Sequence, residues 1–396
     1  MYLLWLDTPT WTDAGLSSAR GHREPRFPPV GRIGKISRIR RYAAGALVAG
    51  CALIAAACSS THKPAHVAAG PTITTTIPAT TTTGSTPPTA PPGAPPCPLT
   101  GLPAVTPANV TRPALSVKVD NAPAALPQLG LNNADIVTEE VVEGGLTRFF
   151  VTFQCEDAAV VGPIRSARPV DADLLRQLNG GILVYSGAAY GEIAPSKAHS
   201  NAVLISMDAG NRGFYRDLKR RAPSNVFGST ASFYQEAYRV AGPHIAGAPQ
   251  LLQYSTTAPS GLPINQVSMV FSSFDAVSWI YNPANGVYHR VQNAVVDRLS
   301  DGSSITASNI VILSITLAHT GIIDQSGNED PLDVIIGSGT AWVLRNGTLV
   351  EGTWKRPSYA VPMQLLDSTG NVIPLQPGRT WVELLPRTSP GQPHFN

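Results

Sequence analysis

From Leu115 onward the apolar positions fall into short runs set off by turn residues. Leu115–Val119 predicts a strand ending at Asp120-Asn121. Ile136–Val142 and Leu146–Phe153 predict two strands joined by a hairpin at Glu143-Gly144-Gly145. Asp171–Leu178 has helical spacing after Pro169, and Ile182–Tyr185 and Val203–Met207 read as buried strands. Phe214–Arg221 and Thr230–Val240 read as helices on either side of Ala222-Pro223-Ser224-Asn225. Alternating strands and helices imply an α+β or α/β domain over 97–246. Past a Gly/Pro-rich connection the rhythm changes. Val267–Phe271, Val277–Tyr281, Val287–Val291, Ile310–Thr316, Thr340–Arg345, Thr348–Lys355 and Trp381–Leu385 are β-type runs, punctuated by Asn285-Gly286, Asp301-Gly302, Asn346-Gly347 and Pro377-Gly378. Residues 247–396 are expected to form a mainly β domain.

Upstream the pattern is not that of a folded domain. Arg32, Lys35, Arg38, Arg40 and Arg41 precede 16 uncharged residues, Tyr42 to Ala57. A permanent membrane span needs roughly 20 apolar residues, so this run has the length of a signal-peptide core instead. Ile54-Ala55-Ala56-Ala57-Cys58 resembles a lipobox, which implies cleavage before Cys58 and a diacylglyceryl thioether on it. Ala55 stands where that pattern usually has Leu, and an ordinary secretory peptide cut after Ala55-Ala56-Ala57 is the alternative. Residues 1–57 are assigned to the signal, with translation expected to start near Val30 because 1–29 show no signal-like pattern. Residues 58–96 are rich in Thr and Pro and have no aromatic side chain, which predicts a disordered linker.

Charge narrows the field. The chain carries 29 Lys/Arg and 26 Asp/Glu, formally +3. Residues 1–57 hold eight of the basic and three of the acidic residues, leaving 21 and 23, a net of −2, from Cys58 onward. No basic surface for nucleic acid is implied. With Cys51 in the leader and Cys58 taken by lipid, Cys97 and Cys155 remain. In an oxidising compartment they would form a disulfide, two free thiols being the alternative. No spacing suggests a metal site or a cofactor.

Candidate chemistry concentrates in the first domain. Glu139, Glu140 and Glu143 bracket one hairpin strand, Arg148 lies on the other, and Gly162-Pro163-Ile164-Arg165-Ser166-Ala167-Arg168-Pro169-Val170-Asp171 follows. Arg148, Arg165, Ser166 and Arg168, with Glu139, Glu143, Asp120 and Asp171, form a candidate ligand site. There guanidinium forks and helix-end N–H groups would meet an anion; Asp208 and Arg221 are further candidates. The same charges would also serve as structural ion pairs. A glycan or peptide hydrolase using Glu139, Glu143 or Asp171 as acid and base is a second reading. However, Glu139 and Glu140 are strand neighbours and point to opposite faces. Trp279, Tyr281, Trp342, Trp354 and Trp381 would line either a carbohydrate-binding face or a core.

Several segments together resemble one family. Pro98-Leu99-Thr100-Gly101-Leu102-Pro103, Val119-Asp120-Asn121, Glu143-Gly144-Gly145-Leu146-Thr147-Arg148-Phe149, Gly162–Arg168 and Pro377-Gly378-Arg379-Thr380-Trp381 are similar to the YerB-like lipoproteins, a domain of unknown function with N- and C-terminal parts. Arg221-Ala222-Pro223-Ser224-Asn225 resembles a later motif, with Ser224 where the pattern has His. The resemblance implies an exported protein held by lipid on the outer face of the cytoplasmic membrane. Its partners would be that membrane and wall material, or another envelope protein for which it is a non-catalytic scaffold. It carries no established activity.

Overall fold

Runs of Val, Ile, Phe and Thr build a chain that is mostly β. The structure, a computed structural model, describes residues 89–188, 200–324 and 327–396. The leader, Cys58 and the linker as far as residue 88 lie outside the described residues.

The first stretch contains β1 (Leu115–Asp120), β2 (Ile136–Val141), β3 (Thr147–Phe153), α1 (Asp171–Gln177), β4 (Ile182–Tyr185), β5 (Val203–Ser206), β6 (Tyr215–Arg216), β7 (Val226–Phe227) and α2 (Thr230–Ala241). After a long connection come β8 (Leu262–Pro263), β9 (Gln266–Ser272), β10 (Asp275–Asn282), β11 (Val287–Gln292), β12 (Val295–Val296), β13 (Thr306–Ala307) and β14 (Asn309–Ala318). The chain ends with β15 (Leu332–Val334), β16 (Gly337–Arg345), β17 (Thr348–Arg356), β18 (Gln364–Leu366), β19 (Thr380–Pro386) and β20 (Gly391–Phe395).

One sheet runs β18-β17-β16-β14-β19-β2-β3-β1-β4-β5, with β15 paired to β14 and β8 to β17. The stretches on either side of residue 246 therefore share a sheet, joined where β19 lies parallel to β2 with Glu383 opposite Glu139. A second sheet runs β12-β11-β10-β9-β20, with β13 on β11. The first sheet buries Val117, Val119, Phe149, Val151 and Trp381 against Met269, Phe271, Val277 and Trp279 of the second and against Phe233 and Ala237 of α2. Its other face buries Ile136, Phe150, Val311, Leu313 and Leu384 against Leu174 and Leu175 of α1. Each fully buried side chain of this size stabilises the fold by about 1.5–3 kcal/mol.

The turn chemistry is realised at particular residues. Asn346 (φ 52°) and Gly347 (φ 67°) form a two-residue turn between the paired Arg345 and Thr348, the left-handed pair that favours Asn-Gly. Asn285-Gly286 closes β10 onto β11, with Asn282 opposite Val287. Cys97 and Cys155 form a disulfide, S–S 1.98 Å, joining the start of the described chain to the end of β3.

The expected helix at Phe214–Arg221 is a correction: Tyr215 and Arg216 form a short ribbon with Val226 and Phe227. Phe214 packs on Phe233 of α2, ring centroids 4.9 Å apart, so tertiary contact rather than local spacing sets this segment. Helix content is accordingly lower than the α+β or α/β expectation for 97–246. Among the described residues the α-helices are α1, with seven residues, and α2, with 12. The aromatic residues of the second stretch are mainly core. Trp279 and Trp381 are fully buried, and Trp354 is buried with its Nε1 donating to the Ser314 carbonyl at 3.0 Å.

Candidate functional site

Strand alternation decides which charges can meet. On β1 it places Ser116, Lys118 and Asp120 on the α1 side of the sheet; register puts Glu140 and Asp120 opposite Arg148 on that same side. The segment after Gly162 crosses these strand ends as an extended strap. Ile164 N–H donates to the Val226 carbonyl (2.7 Å), Arg165 N–H to Lys118 (3.0 Å) and Ala167 N–H to Gly187 (3.0 Å). Gly162 is required there: its φ is +145°, and a Cβ would lie 2.7 Å from the Phe227 ring and 2.8 Å from the Val226 carbonyl.

The strap brings most of the candidate residues together. Lys118 Nζ, fully buried, bridges Glu140 and Asp171, at 2.9 Å from Asp171 Oδ1. Asp171 Oδ2 accepts the Arg168 N–H at 2.8 Å. Glu143 receives Arg148 Nη2 at 2.7 Å and the guanidinium of Arg168, whose Nε is also 2.9 Å from Asp330 Oδ2. Arg165 Nε lies 3.2 Å from Asp120 Oδ2, which also accepts Ser224 Oγ–H at 2.7 Å. Arg165 keeps 24% of its side chain exposed, against 4% for Arg148 and 6% for Arg168. Arg165 is thus the guanidinium of the three most open to a ligand.

Burial and pairing pull these groups in different directions. Burial raises Glu143, but Arg148 and Arg168 outweigh it and hold the carboxyl at about 2. Burial pushes Glu140 up to about 7 against the pull of Lys118. Asp171 is raised by burial, opposed chiefly by Lys118. Burial and the nearby Glu140 lift Asp333, on β15, well above the carboxylate range.

Glu139 is not part of this constellation. It lies on the opposite face, between the two sheets, where its Oε2 accepts Arg290 Nη2 at 2.7 Å and its Oε1 accepts Thr147 Oγ1–H at 2.7 Å. Arg290 also reaches Asp297 Oδ2 at 2.5 Å, and Glu383 accepts Trp279 Nε1–H at 2.7 Å. All these groups are buried. The helix-end idea is corrected as well: α1 is short, and its entry is occupied by Asp171, which bonds the Arg168 N–H. Arg221 and Asp208 are exposed, outside this buried network. The acid–base pairings are also disfavoured by geometry. Glu143 is ionised at neutral pH, and Glu139, Glu140 and Asp171 are sealed from solvent.

Lys118, Asp330 and Ser224 were missed as candidates. Lys118 has a sequence signal, since a lysine inside a buried alternating strand needs a carboxylate on the same face. Asp330 has none, because it arrives from a loop some 160 residues after Arg168. Among the described residues no group of three or more His, Cys, Asp or Glu is placed to hold a metal, and no helix is long and apolar enough to cross a membrane.

Comparison with known proteins gives concordant matches. Two family profiles match: "Protein of unknown function (DUF3048) N-terminal domain" over residues 99–242, and its C-terminal domain over 267–382. A Bacillus subtilis (strain 168) protein described as "Putative lipoprotein YerB" is 30% identical over 297 residues, covering 73% of this chain and 86% of its own. The crystal structure of the YerB protein from Bacillus subtilis superposes with a TM-score of 0.62 at 26% identity, covering 73% of this chain and 95% of its own.

Proposed function

The chain belongs to the DUF3048 family, and from that membership we propose an envelope lipoprotein, anchored through Cys58, that binds an anionic wall-derived ligand beside Arg165. The leader charges, the 16-residue apolar core and the lipobox-like run support the anchor. The linker from Ser59 to Pro96 would then hold the folded body off the outer membrane face, at roughly 35 Å as a coil.

The observation that carries the ligand reading is the buried charge beneath Arg165. Lys118, Arg148 and Arg168 are enclosed with Glu140, Asp171 and Asp330. Apolar residues of equal volume would serve stability as well or better by about 1–4 kcal/mol, so such a network is not explained by stability alone. It fixes the strap that presents Arg165 and Ser166 at the surface, both partly exposed. Ser166 Oγ lies where a Cβ on Gly187 would come within 2.6 Å, so glycine at 187 leaves this hydroxyl room.

The test uses Arg165→Ala rather than Arg168→Ala, because Arg168 is embedded in the network and its loss would unsettle the strap itself. Titration with muropeptides released from purified wall should show binding to the unchanged chain, weakened at least tenfold in Arg165→Ala with the melting temperature preserved. That factor corresponds to the loss of about 1.4 kcal/mol, within the range of one charge-assisted contact. Equal binding by the variant, or no binding by either, would reject the reading.

A further inference from the structure

The β6–β7 ribbon carries its turn as an ordered projection. Tyr215 and Arg216 pair with Phe227 and Val226, and the Asp217 N–H donates to the Asn225 carbonyl at 2.9 Å. Asp217 then closes the turn. Its Oδ1 accepts the Lys219 N–H at 2.9 Å, and its carbonyl accepts the Arg220 N–H at 3.1 Å. Arg220 ties the turn to the body. Its Nη1 donates to the Ala125 carbonyl at 3.0 Å, and its Nη2 to the Pro127 carbonyl at 2.7 Å and Ser300 Oγ at 3.1 Å. The same guanidinium lies 5.2 Å from the centre of the Phe227 ring.

Held in this way, the turn puts Leu218 in water. Leu218 is 90% exposed, more than any other large apolar side chain among the described residues. Leu126, between the two backbone carbonyls that Arg220 grips, and Tyr215, at the base of the turn, are exposed as well. A single exposed leucine is ordinary on a protein surface, so what matters is the charge around it. Arg216, Lys219 and Arg221 are all exposed. Residues 216–221 hold four basic residues and one acidic residue, a net of +3. From Cys58 onward the chain has 21 basic and 23 acidic residues, so all of it outside this turn has 17 against 22, a net of −5. A body that is acidic apart from one basic tip approaches an anionic surface tip first.

We infer that the turn at 216–221 docks on an anionic phospholipid surface, with Lys219 and Arg221 on the head groups and Leu218 below them. Charge alone would suit any polyanion. The apolar side chain at the tip selects one that has an apolar interior under its charges, where leucine leaves water while the cations stay at the head groups. The inference uses the anchor at Cys58 only to place the body near a membrane, within the roughly 35 Å that the linker spans as a coil. Docking through the turn needs no acyl chain, so a chain without lipid tests it whether or not Cys58 is acylated.

The chain from residue 58, made with Cys58→Ser so that no lipid is attached, contains the whole described body. It is titrated with vesicles of phosphatidylglycerol and phosphatidylcholine in equal parts, and with vesicles of phosphatidylcholine alone. The mixed vesicles should bind at least about tenfold more tightly at low salt, an advantage that fades as salt rises toward about 1 M. Lys219→Glu combined with Arg221→Glu should remove that advantage and leave the melting temperature unchanged, because both side chains are exposed. Leu218→Ser keeps every charge and should weaken binding to the mixed vesicles at least about threefold. Equal binding of the unchanged chain to both vesicle types would overturn the proposal, as would full binding by the charge-reversed chain. Soluble poly(glycerol phosphate), a polyanion with no apolar interior, serves as competitor. Should it displace the mixed vesicles while Leu218→Ser binds them as well as the unchanged chain does, the partner is a polyanion in solution and the membrane inference fails.

Discussion

A single lysine organises the buried polar layer under the strap. Lys118 Nζ lies on β1, amid apolar neighbours at 117 and 119 that face the other way, and it bridges carboxylates from β2 and α1. Removing one partner of such a group strands the others without water. Lys118→Met, similar in volume, should destabilise the chain by about 3–5 kcal/mol, because Glu140 and Asp171 must then be protonated or exposed. Urea denaturation at neutral pH measures it, and a loss below about 1 kcal/mol would mean that the network relaxes freely. The same residue shows how far the site was readable. Arg148, Arg165, Arg168, Glu143, Asp120 and Asp171 do gather at one end of the sheet, as the motif spacing suggested. Glu139 does not, since strand parity alone sends it to the far face.

At the scale of elements, the β2–β3 hairpin is pinned at its open end by Asp135. Its Oδ2 accepts the N–H groups of Gln154 and, at 3.2 Å, Cys155, next to the disulfide. Burial pushes this carboxyl up to about 7 despite those two backbone bonds. The folded chain therefore holds the proton more tightly than the unfolded chain, whose value is near 3.9. Stability from this group is fully present below about pH 4, declines as pH rises toward 7, and is flat above. Asp135→Asn should remove that slope. Relative to the unchanged chain the variant should gain stability from pH 4.5 to pH 8, by at most about 1.4 kcal/mol per pH unit. Denaturant midpoints across that range check it, and parallel curves would show that Asp135 stays ionised. Glu140, also raised to about 7, adds a similar slope to both chains and cancels in the difference. Element by element, the hairpins at Asn346-Gly347 and Asn285-Gly286 were legible because their backbone requirement is local. The ribbon at Tyr215–Arg216 was not, because only Phe227 and Phe233 define it.

At the scale of the whole molecule, β19 is inserted between β14 and β2, so the strand that completes the first stretch comes from the far end of the chain. Residues 97–246 alone would leave β2 as an open edge and expose the face that packs on Trp279 and Trp381. The folded body should therefore unfold in one cooperative transition. The tryptophans at 279, 342, 354 and 381 all report on the second stretch, whereas amide exchange in β1–β3 reports on the first. Coincident urea midpoints are expected, and two separated transitions would show that the stretches fold as independent domains. The sequence by itself determined most of the longer strands, the Asn-Gly turns and the family, because these rest on local backbone preference and motif spacing. Tertiary structure alone decided that both stretches share one sheet and that Asp330 joins Arg168. Those outcomes depend on contacts between residues far apart in the chain, where no local spacing carries the register.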